Sequence, residues 1–144
     1  MATYRARVTT LRPQAEVFDY MARFSNAAEW DPGVAEATEA EPGATGEGAT
    51  YRLMVRIYGR AVPLSYRIDG YDRPHRVVLR AENSMVRSTD VIEVFPEPDG
   101  GSILTYEATL ELKGGALLFT PLLGLSFRRI GDRATAGLRA ALAA

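Results

Sequence analysis

The 144-residue sequence contains no cysteine. A disulfide scaffold, a thiolate zinc site, an iron–sulfur cluster and a cysteine nucleophile are therefore excluded. It has a single histidine, His75, with no HxxxH or HExxH spacing around it. That argues against a histidine-based metal site, and no GxSxG element is present to suggest a serine hydrolase. No metal and no cofactor is expected. Lysine is almost missing: of seventeen Lys+Arg only Lys113 is a lysine, and eighteen Asp+Glu bring the formal charge to -1. Without a net basic footprint, nucleic acid is not an expected partner. No stretch approaches the ~20 apolar residues of a membrane span. Met1-Ala2-Thr3-Tyr4-Arg5 lacks the apolar core of a signal peptide, so a cytoplasmic protein is expected.

What is present is ordinary for a folded chain: 47% hydrophobic and 24% charged residues, at a length suited to one domain spanning residues 1–144. Residues 2–11 alternate, with Tyr4, Ala6 and Val8 on one face, which predicts a strand. Pro13 opens a short helix over 13–22 whose apolar side is Val17, Phe18 and Met21. Ser25 reads as the N-cap of a second short helix through Glu29 and Trp30, closed by Asp31-Pro32-Gly33. From 34 to 112 the period is two. Strands are expected at 34–41, around Tyr51–Ile57, around Val62–Ile68, around Arg76–Asn83, at 87–95 and around Ile103–Leu112. Short turns at Pro42-Gly43, Tyr58-Gly59, Asp72-Arg73-Pro74, Ser84-Met85 and 96–101 separate them, which implies an antiparallel meander. The period then changes. Leu123, Phe127, Ile130, Ala134, Leu138 and Leu142 form one face of a helix of about 22 residues, starting at Thr120-Pro121 or a turn earlier. Gly131 and Gly137 weaken that helix, and close packing on the sheet would account for them.

The order strand, two short helices, six strands, long helix resembles the polyketide cyclase/dehydrase-like branch of the SRPBCC superfamily. The resemblance rests on Pro13-Gln14-Ala15-Glu16-Val17-Phe18, Glu29-Trp30-Asp31-Pro32-Gly33-Val34, Gly46-Glu47-Gly48-Ala49-Thr50-Tyr51 and the strand pair ending near Tyr106. It implies the START-like helix-grip fold: α+β, with a curved seven-stranded antiparallel sheet, two short helices after strand 1 and a long C-terminal helix packed across the sheet. It also implies a cavity between sheet and helix for a hydrophobic or amphipathic small molecule, such as a lipid, polyketide or quinone-like compound. The superfamily holds lipid carriers, hormone receptors, aromatic cyclases, ubiquinone-binding proteins and chaperone activators, so no single reaction follows.

The strand parity puts Tyr4, Tyr51, Tyr66, Asn83, Ser88, Asp90 and Tyr106 on the concave face among aliphatic residues. Such a mixture is that of a ligand pocket, because unpaired buried polar groups cost roughly 1–3 kcal/mol each in a plain core. The competing reading makes the tyrosines core aromatics with hydroxyls at the rim. Expected ligand-binding residues are Trp30, Tyr51, Leu53, Leu64, Tyr66, Leu79, Asn83, Ser88, Asp90, Tyr106 and Phe127. Asp90 is the sharpest of them. An inward carboxylate either pairs with a cation, for which Arg128 or Arg129 is available, or has its pKa raised by desolvation. With Tyr66 and Tyr106 it forms the candidate catalytic set for acid–base work on a carbonyl substrate.

Other features carry less. Asp31 reads as a turn residue before Pro32, Trp30 as a core tryptophan, and His75 as an exposed turn residue. Gly46-x-Gly48 reads as a hairpin connection or a gate over the cavity mouth. The all-apolar Gly114-Gly115-Ala116-Leu117-Leu118-Phe119 reads as a portal, a homodimer interface or core. Three functions stay open: a binding protein for a hydrophobic small molecule, a polyketide cyclase/dehydratase-type enzyme, and a protein-interaction module without a true cavity.

Overall fold

Alternating sequences become strands here because one face of each can be buried against helices while the other keeps its charges in water. A computed structural model describes residues 1–43, 46–57 and 59–143, with side chains described for all of these except Ile57 and residues 118–126. β1 (Ala2–Thr10) is followed by α1 (Gln14–Ala22), a 3-10 turn (Phe24–Asn26) and α2 (Ala27–Trp30). Six strands follow: β2 (Val34–Glu39), β3 (Thr50–Ile57), β4 (Arg60–Asp72), β5 (Arg76–Glu82), β6 (Val86–Pro96) and β7 (Ser102–Leu112). A 3-10 segment (Gly114–Phe119) leads into α3 (Thr120–Ala141). The seven strands form one antiparallel sheet in the order β1-β7-β6-β5-β4-β3-β2. The fold is the expected helix-grip α+β arrangement, a curled sheet with the long helix packed on it. Register shifts between Val34 and Glu36 and between Ile68 and Gly70 bend two of the strands.

The core lies between the sheet and the helices. Val17, Phe18 and Met21 of α1 are fully buried, as the helical spacing predicts. Pro13 precedes α1 as its N-cap, with ψ 151°, rather than opening it. Ser25 does not cap α2. It sits inside the 3-10 turn, α2 is capped at Asn26 without a side-chain hydrogen bond, and the Ser25 hydroxyl donates to Glu39 at 3.3 Å. The hairpin between β3 and β4 turns at Gly59, φ 76°, while Tyr58 lies outside the described residues.

α3 packs on β1 and on α2. Leu138 and Leu142 are buried, the Thr10 hydroxyl donates to the Leu142 carbonyl at 2.6 Å, and the Tyr4 hydroxyl bonds Asp132 and Thr135. Both helix glycines mark close approaches. A Cβ on Gly131 would collide with the Tyr4 ring of β1, and one on Gly137 with the Trp30 carbonyl. Gly137 thus serves contact with α2 rather than with the sheet. Among the described residues no helix is long and apolar enough to cross a membrane.

Candidate functional site

A cavity of about 110 Å³ lies between the inner sheet face and α3. Its position follows from residue size. Across the sheet, one row of paired residues runs Leu79, Asp90, Ala108, Tyr4, and the next runs Ala81, Ser88, Leu110, Ala2. Short side chains at Ser88, Asp90 and Ala108 leave room that the long helix does not fill. Leu53, Val55 and Leu64 wall the cavity from β3 and β4, and Phe127 and Ile130 wall it from α3. Phe24, Asp31, Gly33 and Val34 close it from the segment after α1. Arg56 reaches it with an exposed side chain.

The polar part of the wall is one connected relay. The Tyr66 hydroxyl donates to the Ser88 hydroxyl at 2.8 Å, and Ser88 donates to Asp90 Oδ1 at 3.3 Å. The Tyr106 hydroxyl donates to Asp90 Oδ2. Tyr106 lies two residues along β7 from Ala108, the residue directly opposite Asp90, so its longer side chain reaches the carboxylate on the diagonal. Asp90 is 4% exposed and has no ion pair among the described residues. Arg128 and Arg129 are exposed on α3 and make no bridge to it, so of the two expectations for Asp90 desolvation is the one that holds. Burial, opposed by the hydrogen bond from Tyr106 and aided by the charge of Asp31, pushes its carboxyl up to about 7. Burial together with the nearby Asp90 charge holds the Tyr66 and Tyr106 hydroxyls well above the usual phenol range.

Asp31 is a residue whose place at the cavity the sequence did not reveal. It is a turn residue, as expected: its Oδ1 accepts from the Gly33 N–H at 2.8 Å. It also lines the cavity, and desolvation there raises its carboxyl to about 6. Arg56 lies at the same mouth, but its Nη1 donates to the Pro32 carbonyl at 2.5 Å, and it forms no ion pair with Asp31.

Seven of the eleven expected ligand-binding residues line the cavity: Leu53, Leu64, Tyr66, Ser88, Asp90, Tyr106 and Phe127. Four stand elsewhere. Asn83 lies one residue beyond β5, where its Oδ1 accepts from the Met85 and Val86 N–H groups and holds the β5–β6 turn. Tyr51 and Leu79 are fully buried core side chains on the inner face but away from the space. Trp30 stands behind the wall: its ring meets Tyr106 edge-on at 5.4 Å and Phe24 at 6.4 Å. Its buried indole N–H has no hydrogen-bond partner among the described residues. Tyr4 turns to α3 instead of the cavity. His75 is exposed in the β4–β5 turn, 3.2 Å from Gln14. Gly48 donates to the Ile68 carbonyl, and neither it nor Gly46 lines the cavity. In the 114–119 segment Leu117 is exposed, and the side chains of Leu118 and Phe119 fall outside the described set. No cluster of metal-ligating side chains occurs among the described residues.

The sequence profile described as "Polyketide cyclase / dehydrase and lipid transport" matches residues 1–143. The chain belongs to this cyclase/dehydrase and lipid-transport family. No curated protein matches it in sequence. Solved structures similar to this family member include a START superfamily protein from Mycobacterium smegmatis, at 10% identity and TM-score 0.78, covering 99% of this chain and 97% of that one. The ZhuI aromatase/cyclase from Streptomyces sp. R1128 is 16% identical with a TM-score of 0.74, covering 97% and 90%. TTHA0849 from Thermus thermophilus is 16% identical with a TM-score of 0.75, covering 95% and 92%. At these identities the likeness is one of fold.

Proposed function

We propose that this family member binds a small, largely apolar molecule between its sheet and α3, with the polar group of the ligand at the Asp90 relay. One observation carries this reading: a largely apolar cavity with the buried Tyr66–Ser88–Asp90–Tyr106 chain set into its sheet wall. A core that served packing alone would gain nothing from a buried, unpaired carboxyl. At about 110 Å³ the space is smaller than the ~150 Å³ apolar cavity that takes up benzene. It suits a single ring or a short chain rather than a whole lipid. The family description, which spans lipid transport and cyclase/dehydrase activity, agrees with a hydrophobic ligand.

A second reading is favoured by the Asp90 carboxyl itself. Raised to about 7, it is close to half protonated at neutral pH, where a general acid–base group works best. In that reading Asp90 moves a proton at the carbonyl of a polyketide-like substrate, with Tyr66 and Tyr106 orienting it. An aromatase/cyclase among the structural neighbours makes it worth testing. A pure protein-interaction module is disfavoured by the hollow.

The test is to fill the space. Ala108 is small and lines the cavity opposite Asp90. Ala108→Phe is expected to abolish uptake of single-ring ligands, followed by Trp30 fluorescence and native mass spectrometry, while the protein stays folded. Undiminished binding in the filled variant contradicts this reading. Turnover that falls with Asp90→Asn while ligand affinity holds favours the enzyme.

A further inference from the structure

Counting protons in the relay determines what kind of polar group the cavity receives. With Asp90 ionised, both of its oxygens accept, so Tyr106 and Ser88 must each donate to it. Ser88 has one proton and has used it, so Tyr66 must donate to Ser88. Each of the two phenol protons is then committed inside the wall. What remains for a ligand is lone pairs, on Tyr66, Tyr106 and Asp90. Asp31 adds more: one of its oxygens accepts from Gly33, and no other partner among the described residues contacts the carboxylate. With both acids ionised, the polar wall is a set of acceptors holding two negative charges.

No cation balances those charges. Among the described residues Arg56 is the only positive group lining the cavity; its guanidinium is exposed, is engaged by the Pro32 carbonyl, and pairs with neither acid. The side chains outside the described set, residues 44, 45, 57, 58, 118–126 and 144, include no Lys, Arg or His. From α3 the described wall is Phe127 and Ile130, and Phe24, Tyr66 and Tyr106 add aromatic rings to it.

We infer that the ligand is a small hydrophobic amine, bound as its ammonium ion, with the charged nitrogen between Asp90 and Asp31 and the apolar body along Phe24, Leu53, Leu64 and Phe127. The inference rests on the cavity being a ligand site, and it adds the class of ligand. An ammonium donates several hydrogen bonds and takes none, which matches a wall of acceptors. It brings the missing positive charge to a poorly solvated pair of acids, and aromatic rings attract it further. A ketone, ester or carboxylate offers only lone pairs to lone pairs and is disfavoured while Asp90 is ionised. The groups facing Asp90 are Tyr66, Ser88, Tyr106 and Asp31, with Arg56 at the mouth. Asp31 and Asp90 lose their charges as the pH falls through about 6 and about 7, so ammonium affinity should fall with them.

A matched set on one skeleton tests this with the intact protein: benzylamine, benzyl alcohol, benzaldehyde and benzoate, titrated calorimetrically at pH 8 and pH 5. At pH 8 benzylamine should bind about tenfold or more tighter than benzyl alcohol, and lose that margin at pH 5. Asp31→Asn and Asp90→Asn should each cut benzylamine affinity about tenfold while changing benzyl alcohol affinity less than about twofold. Asp31→Asn serves as the independent arm should Asp90→Asn fold poorly. Binding of the alcohol or aldehyde with no margin for the amine overturns the amine inference and leaves the cavity reading standing. Tightest binding of benzoate, with loss on Arg56→Ala, also overturns it and assigns the site to anions. Failure of all four to bind at either pH overturns both readings.

Discussion

Acids on the two sides of the sheet live in opposite surroundings. Outside, carboxylates are held by cations. Glu82 accepts from Arg87 at 2.5 Å and from Lys113 at 3.0 Å, and these hydrogen bonds pull it down to about 2. Away from the cavity the same holds off the outer face: Arg73 grips Asp19 of α1 through two bonds of 2.8 Å, and the Gly43 N–H together with Arg23 holds Glu39 at the sheet's edge; both acids are lowered. Inside, Asp90 and Asp31 have no ion pair among the described residues, and burial raises both. Glu82 and Asp19 are about half exposed to water, so their pairing adds little to stability. The inner groups work against the fold whenever they are charged. A chain with sixteen arginines that sends none to Asp90 has left a charged position open for something else to fill.

This contrast can be broken at several points. The largest effect should come from Asp90→Asn. Folded, Asp90 keeps its proton to about pH 7; unfolded, it releases it near the ordinary ~3.9. The folded state therefore binds more protons across that window, and its stability falls as pH rises through it. The Asn variant should lose this slope. It should match the parent at pH 4 and exceed it at pH 8 by about 4 kcal/mol, read from urea midpoints at each pH. A variant that is less stable at pH 8 would mean that the carboxylate is compensated after all.

Next comes the packing that closes the inner side. Gly137→Ala forces its new methyl into the Trp30 carbonyl and should cost about 3 kcal/mol in urea denaturation, by prising α3 from α2. A cost within error would mean that the helix is not held there.

The smallest effect is expected outside. Arg87→Ala removes bridges to Glu82 and Glu111, yet the change in Tm at about 150 mM salt should not exceed experimental scatter. A clear drop would dissolve the contrast between the two sides.

Strand parity made most of this molecule legible in advance. Alternation in β6 and β7 is enough to put Ser88, Asp90 and Tyr106 on one face, because a strand has only two faces. What parity cannot give is position along the depth of the hollow. Tyr51 and Tyr66 are register partners on the same face, yet only Tyr66 meets the cavity. Asn83 kept the parity of β5 but stands just past its end, where an amide is more useful bonding the turn's own N–H groups. Asp31 was hidden by its success as a turn residue. Asp-Pro-Gly explains one carboxylate oxygen, and only the path of the chain after α2 brings that turn against the cavity. Gly137 signalled a close approach, but which neighbour approaches is a tertiary fact.

The most direct measurement is a carboxyl-carbon NMR titration of Asp90 in the free protein and again with saturating benzylamine. The account predicts a midpoint near 7 when the cavity is empty and a lower one when the amine is bound. A midpoint near ~3.9 that no ligand moves would contradict it, by showing an acid already satisfied by its surroundings.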